Sequence, residues 1–284
     1  MVSEDFVQID GLRMRFQHHG NGPAVVLVHG LLGYSFSWRF VLPGLVGRKV
    51  FAVDMLGSGL SDCSQNLDAR LRAAADRLRR FLDAVEIERC DLVGSSYGGA
   101  TALMLAAVHP ERLRTLTLVS PANPWSSIGR KRLASLRFPL VAGIFPSMAR
   151  GFSPLDGYFI GRMYGDPRRL SQQTIEGYER ALRRPGVFEH TVKIAQTWRP
   201  DMAELKNAIE NLPDIPTLIV WGQKDRVVDI ASAQILASKI KRTQVVVLPG
   251  LGHIPYEEGP DAFLPPLQRF LAENSPAGSA REVT

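Results

Sequence analysis

The stretch Leu92-Val93-Gly94-Ser95-Ser96-Tyr97-Gly98-Gly99 decides how the rest of the chain is read. It stands between a short apolar run, Cys90 to Val93, and an Ala- and Leu-rich segment, Ala100 to Val108, that favours helix. Gly94-x-Ser96-x-Gly98 therefore falls where a buried strand turns sharply into a helix. A serine at so tight a turn must take a strained backbone conformation. Glycines on either side remove the clash that bulkier residues would cause and leave the Ser96 hydroxyl standing clear. The following helix aims its first N–H groups and positive dipole end at charge developing beside that hydroxyl. This context, rather than the bare G-x-S-x-G pattern, makes Ser96 a candidate nucleophile.

Outward from that turn, strands and helices alternate. Ala24 to Val28, Val50 to Val53, Leu113 to Val119, Thr217 to Val220 and Gln244 to Leu248 read as further strands. Ahead of them, Phe6 to Ile9 and Leu12 to His18 are joined at Asp10-Gly11, a hairpin dipeptide. Asp68 to Val85 carries Leu71, Ala74, Ala75, Leu78, Leu82 and Val85 at helical spacing, with Asp76, Asp83 and its arginines read as a solvated face. Ile230 to Ile240 and Asp261 to Leu271 are expected helices. Between Ser120 and Thr217 no strand is expected. Seven prolines, Pro200 the last, interrupt helical stretches such as Ser171 to Arg183 and Val187 to Trp198.

Two-sided apolar strands alternating with helices mean a mostly parallel sheet covered on both faces, with working groups at the strands' carboxyl ends. At those ends stand His29-Gly30, Asp54, Ser96, Ser120-Pro121, Asp225 and His253. A nucleophile, a carboxylate and a histidine are all present. Serine attacks only when a base takes its proton, and neutral imidazole suits that task near pH 7. The imidazole in turn needs an anion on its other nitrogen. His253, in Gly250-Leu251-Gly252-His253, is the expected base, and Asp225, just past the preceding strand, the expected acid. Asp229 lies one turn from Asp225 and competes for that role. The alternative position after the strand before holds Asn123, which cannot carry the charge. The order Ser, Asp, His is that of the α/β-hydrolase arrangement. A developing oxyanion needs donors, for which the backbone N–H groups of Tyr97 and Leu31 are best placed.

Composition bounds the alternatives. At 284 residues, 45% apolar and 22% charged, the chain has material for a large core. Its acidic start reads as no signal peptide, and no apolar run approaches the roughly 18–20 residues of a membrane span. Two cysteines, Cys63 and Cys90, imply no disulfide framework, so a reducing cytoplasm is the expected location. The net charge of +6 lies in one place, because Pro121 to Glu210 carries 14 Lys and Arg against 8 Asp and Glu. That argues for a unit with its own surface rather than for a nucleic-acid partner. Adjacent His18 and His19 point to opposite faces of a strand, which argues against metal binding. The uncharged run Phe138 to Met148 has three readings: a roof over the substrate pocket, a lid touching membrane surface transiently, or packing of the inserted segment onto the core.

Taken together, His29-Gly30 with Ser37-Trp38-Arg39, Asp54 with Gly57-x-Gly59-x-Ser61-Asp62, Gly94-x-Ser96-x-Gly98-Gly99, Trp221-Gly-x-x-Asp225 and Gly252-His253 resemble the α/β-hydrolase fold superfamily over essentially the whole chain. The resemblance implies an α/β fold with a core at 1–121 and 212–273 and a helical cap inserted at 122–211, while the Gly-, Ser- and Ala-rich tail at 274–284 is expected to be disordered. It implies that Asp54 anchors a loop and that His29 braces the oxyanion loop. The layout is similar to cap-bearing epoxide hydrolases and haloalkane dehalogenases, but those use an aspartate nucleophile where this chain has Ser96. Meta-cleavage-product C–C hydrolases do use serine, though they often carry Trp after the histidine, where this chain has Ile254. The expected activity is a cofactor-independent serine esterase, without a metal, acting on a small molecule with an apolar part. The rivals are C–C cleavage, acyl transfer or perhydrolysis on the same scaffold, and a receptor that keeps the triad.

Overall fold

The computed structural model describes residues 1–126, 142–143, 146 and 153–275. In chain order the strands are β1 (Ser3–Ile9), β2 (Leu12–His19), β3 (Ala24–Val28), β4 (Lys49–Val53), β5 (Cys90–Ser95), β6 (Leu113–Val119), β7 (Thr217–Gly222) and β8 (Thr243–Leu248). They form one sheet in the order β1-β2-β4-β3-β5-β6-β7-β8. β1, β2 and β4 pair antiparallel, and every later pairing is parallel. The β1–β2 turn puts Asp10 at φ 54° and Gly11 at φ 76°, the left-handed pair a two-residue hairpin needs.

The helices longer than one turn among the described residues are α1 (Leu71–Ala84), α2 (Tyr97–Val108), α3 (Ser153–Gly161), α4 (Gln172–Leu182), α5 (Val187–Glu210), α6 (Ala231–Lys239) and α7 (Pro260–Asn274). Alternating strand residues enter opposite cores, as the two-residue strand period requires. Val26, Val28, Leu92, Leu116, Leu118 and Ile219 face α1, α2, α6 and the end of α5. Val25, Leu27, Val93, Val119, Leu218 and Val220 face α7 and Trp38. α2 lies so deep that every residue from Gly98 to Ala106 is buried, which its lack of charged side chains permits, with the Thr101 hydroxyl donated to the Tyr97 carbonyl.

The parallel register aligns the strand ends. Val28 pairs with Val53 and Gly94, Ser95 with Val119, Val119 with Val220, and Gly222 with Leu248. His29, Ser96, Asp225 and His253 therefore leave the sheet along one edge. Between β6 and β7 the described residues hold only helices and turns.

Three expectations change. Pro200 does not end its helix; α5 runs through it for 24 residues. A proline inside a helix forfeits one hydrogen bond, but Ile194 and Ala195 on one side and Met202, Leu205 and Ile209 on the other are buried and hold both halves in line. Arg77 is not on the solvated face of α1, being only 5% exposed. The tail does not begin at Asn274, since Asn274 closes α7 and the buried Ser275 donates its hydroxyl to Asp91 at 2.8 Å. The apolar run Phe138 to Met148 lies, apart from residues 142, 143 and 146, outside the described residues, as does the chain from 276. Among the described residues no helix is long and apolar enough to cross a membrane.

At the amino ends of the strands, Asp91 is fully buried and accepts from Arg48 (3.3 Å), Arg114 (3.0 Å), Thr115 (3.0 Å) and Ser275. It ties β5, β6 and the end of α7 together. Removing one partner of a buried ion pair leaves the other uncompensated, at about 3–5 kcal/mol. Asp91→Ala is expected to lower the unfolding free energy by that order, read as a lower midpoint in urea.

Candidate active site

Ser96 sits at φ 52° and ψ −117°, a backbone state that a residue with a Cβ resists. Neighbouring chain holds it there. The Ser96 N–H donates to the Val119 carbonyl at 3.0 Å, and its carbonyl accepts from Ala100 and Ala122. The turn is too tight for side chains around it: a Cβ on Gly94 would lie 2.4 Å from the Gly98 carbonyl oxygen, and one on Gly98 would lie 2.4 Å from that of His29. Gly30 packs directly on the serine, its Cβ position 3.0 Å from that of Ser96. The Ser96 side chain is half-buried rather than sealed in.

Asp225 and His253, the expected acid and base, meet. His253 Nδ1 donates to Asp225 Oδ2 at 2.9 Å, with the residues 3% and 9% exposed. The other oxygen of Asp225 accepts the N–H groups of Val227 (2.8 Å) and Val228 (3.0 Å). Burial alone would raise this carboxyl, but the imidazole and those two donors outweigh it and hold the pKa below the usual value. The two loops are also joined by backbone, since Gln223 donates to Leu248 and Lys224 to Leu251. With Asp225 on Nδ1, the Nε2 of His253 is left to exchange a proton with another group. Among the described residues the Ser96 hydroxyl makes no hydrogen bond to His253; such bonds tighten when substrate arrives.

The competing positions are engaged elsewhere. Asp229 accepts the N–H of Ala231 at the start of α6. Asn123 folds a local turn, accepting from Trp125 and Ser126 and donating to Pro121 and Ser232. The backbone N–H groups of Leu31 and Tyr97 donate to no group among the described residues, so both remain free to receive an anion. Asp54 takes the N–H groups of Ser35 (2.7 Å) and Leu60 (2.8 Å) and the guanidinium of Arg15 (3.1 Å), the loop anchor that the resemblance implies. His18 bonds Asp5, apart from any metal-ligand group among the described residues.

The fold and this edge of the sheet define a hydrolase-type α/β protein with a serine elbow. The family model for the alpha/beta hydrolase fold matches residues 23–260, and the chain belongs to that family. It is 31% identical over 278 residues to the 2-hydroxymuconate semialdehyde hydrolase of Pseudomonas sp. (strain CF600), covering 93% of this chain and 92% of that one. It is 28% identical over 255 residues to Lipase 1 of Psychrobacter immobilis, covering 88% and 78%. Among solved structures, a meta-cleavage product hydrolase from Pseudomonas fluorescens IP01 superposes with a TM-score of 0.79 at 24% identity, over 95% of this chain and 97% of that one. The chain is thus an α/β-hydrolase enzyme.

Two further histidines are buried near the turn. His29 Nε2 accepts the Met55 N–H at 3.0 Å, so its Nδ1 carries the proton and donates to the Gly30 carbonyl at 2.7 Å. That braces the loop bearing Leu31. His190, on α5, lies against Gly57 and beside a cavity of about 20 Å³ that Arg77, Leu31 and Tyr97 also line. Burial, and then the charges of Arg77 and Lys193, bring its pKa down from 6.5 to about 4. As pH falls, the unfolded chain protonates at this position before the folded one does. The stability held by neutral His190 is complete above pH 6.5 and is lost as pH falls toward 4, to the extent of about 3 kcal/mol. Urea midpoints measured across that window should fall less steeply in His190→Gln than in the wild type.

Proposed function

We propose that this enzyme is a serine hydrolase that cleaves a carboxylic ester with a largely apolar acyl or alcohol part, through an acyl-enzyme on Ser96. The observation that carries the reading is the buried 2.9 Å bond between His253 and Asp225, on loops that leave the sheet beside the strained serine. Ser96 Oγ attacks the ester carbonyl carbon while His253 Nε2 takes its proton. Asp225 fixes the imidazole tautomer and stabilises the imidazolium. The carbonyl oxygen, now an anion, is received by the N–H groups of Leu31 and Tyr97, at the positive end of α2. Collapse breaks the bond to the alkoxide, which leaves with the proton from His253. Water then gives a proton to His253, attacks the acyl carbon and releases the acid, restoring Ser96. The step balances with water alone.

In the same reading the helical segment 122–211 is a cap over the serine, joined to a core at 1–121 and 212–273. Its contacts with the core lie near the site: Tyr34 donates its hydroxyl to the Gly177 carbonyl at 2.5 Å, and Arg184 donates to the carbonyls of Gly59 and Ser61. A wide groove of about 570 Å³, between Arg89, Arg114, Pro213 and Arg242, opens instead at the amino ends of the strands. Ligands of parallel sheets bind at the other edge.

A second reading is favoured by one finding, the likeness to the 2-hydroxymuconate semialdehyde hydrolase over nearly the whole of both chains. There the same serine, histidine and acid would act on a ketone, and a carbon group would leave in place of the alkoxide. Ile254 after the histidine departs from the Trp that such enzymes often carry.

Hydrolysis of p-nitrophenyl esters from acetyl to dodecanoyl separates the readings. The ester reading expects multiple turnover by the wild type. It also expects a loss of about 10⁴-fold or more in kcat for Ser96→Ala, and a loss of about 10⁴-fold for Asp225→Asn with the fold retained. No turnover of any ester by folded protein, with cleavage of a vinylogous 1,5-diketone, would establish the second reading instead.

A further inference from the structure

Glu257 and Glu258 follow His253 by four and five residues, are both buried, and play no part in the steps above. Glu258, only 8% exposed, accepts three backbone N–H groups: Gly252 at 2.6 Å, Gly165 at 2.9 Å and Asp166 at 2.9 Å. The first donor is the residue before His253; the other two belong to the cap. The N–H of His253 itself donates to the cap carbonyl of Met163 at 2.6 Å. Glu257 extends the same junction, accepting the hydroxyls of Tyr164 (2.5 Å) and Tyr178 (2.7 Å) and Arg39 Nη1 (2.9 Å). Backbones meet here without side chains between them. A Cβ on Gly165 would lie 2.4 Å from the Gly250 carbonyl oxygen, and one on Gly252 would lie 2.4 Å from that of Met163.

A carboxylate this deep is tolerated only where donors replace its water. The three N–H groups on Glu258 do so, and each in turn has the carboxylate as its acceptor. The loop carrying His253 has two glycines and is tied to the Asp225 loop by the Lys224 N–H on the Leu251 carbonyl. At His253 itself, Asp225 holds the ring from one side and the cap holds the backbone from the other.

We propose that Glu258 is a positioning residue for His253, and that through it the cap turn 163–166, a strap across the histidine loop, is part of the apparatus that holds the imidazole. The strap and the histidine loop form one mechanical unit. The proposal rests on the reading of His253 as the base, and it adds a role for the cap beyond covering substrate: the base is in place only while the strap is seated.

The test compares Glu258→Gln with Asp91→Ala, which removes a buried carboxylate at the far ends of the strands. Glu258→Gln puts an amide donor where N–H groups need an acceptor. The readouts are kcat and KM on the best p-nitrophenyl ester, the rate of Ser96 phosphonylation by a p-nitrophenyl alkylphosphonate, and the low-field NMR resonance of the His253–Asp225 proton. A displacement of about 1 Å costs on the order of 10²-fold. Glu258→Gln should lose kcat and phosphonylation rate by that order, keep KM within about twofold, and broaden or lose the low-field resonance. Asp91→Ala should lose stability alone. Wild-type rates and an intact resonance in folded Glu258→Gln would overturn the proposal.

Hydrogen exchange on the wild type needs no variant. The amides of Gly165, Asp166, Gly252 and His253 should open with one common free energy; separate opening of the two pairs would equally overturn it. A wild type that the phosphonate fails to label would count against the hydrolase reading, while the resonance and the exchange data would still decide the coupling.

Discussion

The geometry of the site rests on one unfavourable backbone conformation. Ser96 is held at φ 52°, where an ordinary side chain costs about 1–3 kcal/mol, and it stays there only because its surroundings over-determine it. The register of β5 against β6 fixes its N–H to Val119, the carbonyl is taken by both α2 and the turn after β6, and glycines let the chains touch. That strain is what stands the hydroxyl clear of the sheet. The same strand ends then deliver Asp225 and His253, because parallel pairing without slippage puts the ends of β7 and β8 on the same edge.

Most of this was legible before the structure, for identifiable reasons. β3 and β6 fall on the expected residues, since β3 is a continuous apolar run ended by His29-Gly30 and β6 joins three leucines and a valine through β-branched threonines. Asp225 and His253 stood out because they follow such runs. What escaped the sequence depends on partners distant along the chain. Arg77 flanks the apolar stripe of α1 and looks solvated until α5 and Tyr97, from elsewhere in the chain, close over it. Pro200 obeys the local rule for a helix end, and tertiary burial on both sides overrides it. Glu257 and Glu258 are a pair of acids closing a single helical turn, Pro255–Glu258, ordinary in sequence. Their donors lie 79 to 218 residues away, apart from Gly252, and no local pattern announces them.

The charge imbalance also takes on a different meaning. The excess of basic residues between Pro121 and Glu210 is not all outward-facing. Arg184 reaches into the core loop after β4, bonding the carbonyls of Gly59 and Ser61 at 2.9 and 2.8 Å. Arg39, from the core side, spans to Thr174 and Glu257 and lies over the Phe36 ring at 4.1 Å. Such contacts join the helical segment to the loops that carry the site.

The central claim, that Ser96 forms the covalent intermediate, is tested most directly by acid-quenching the wild type during turnover of a p-nitrophenyl ester and mapping the acyl group by peptide mass spectrometry. The account predicts one acyl adduct, on Ser96, that is absent from Ser96→Ala. An adduct on another residue, or turnover that persists in Ser96→Ala, would contradict it.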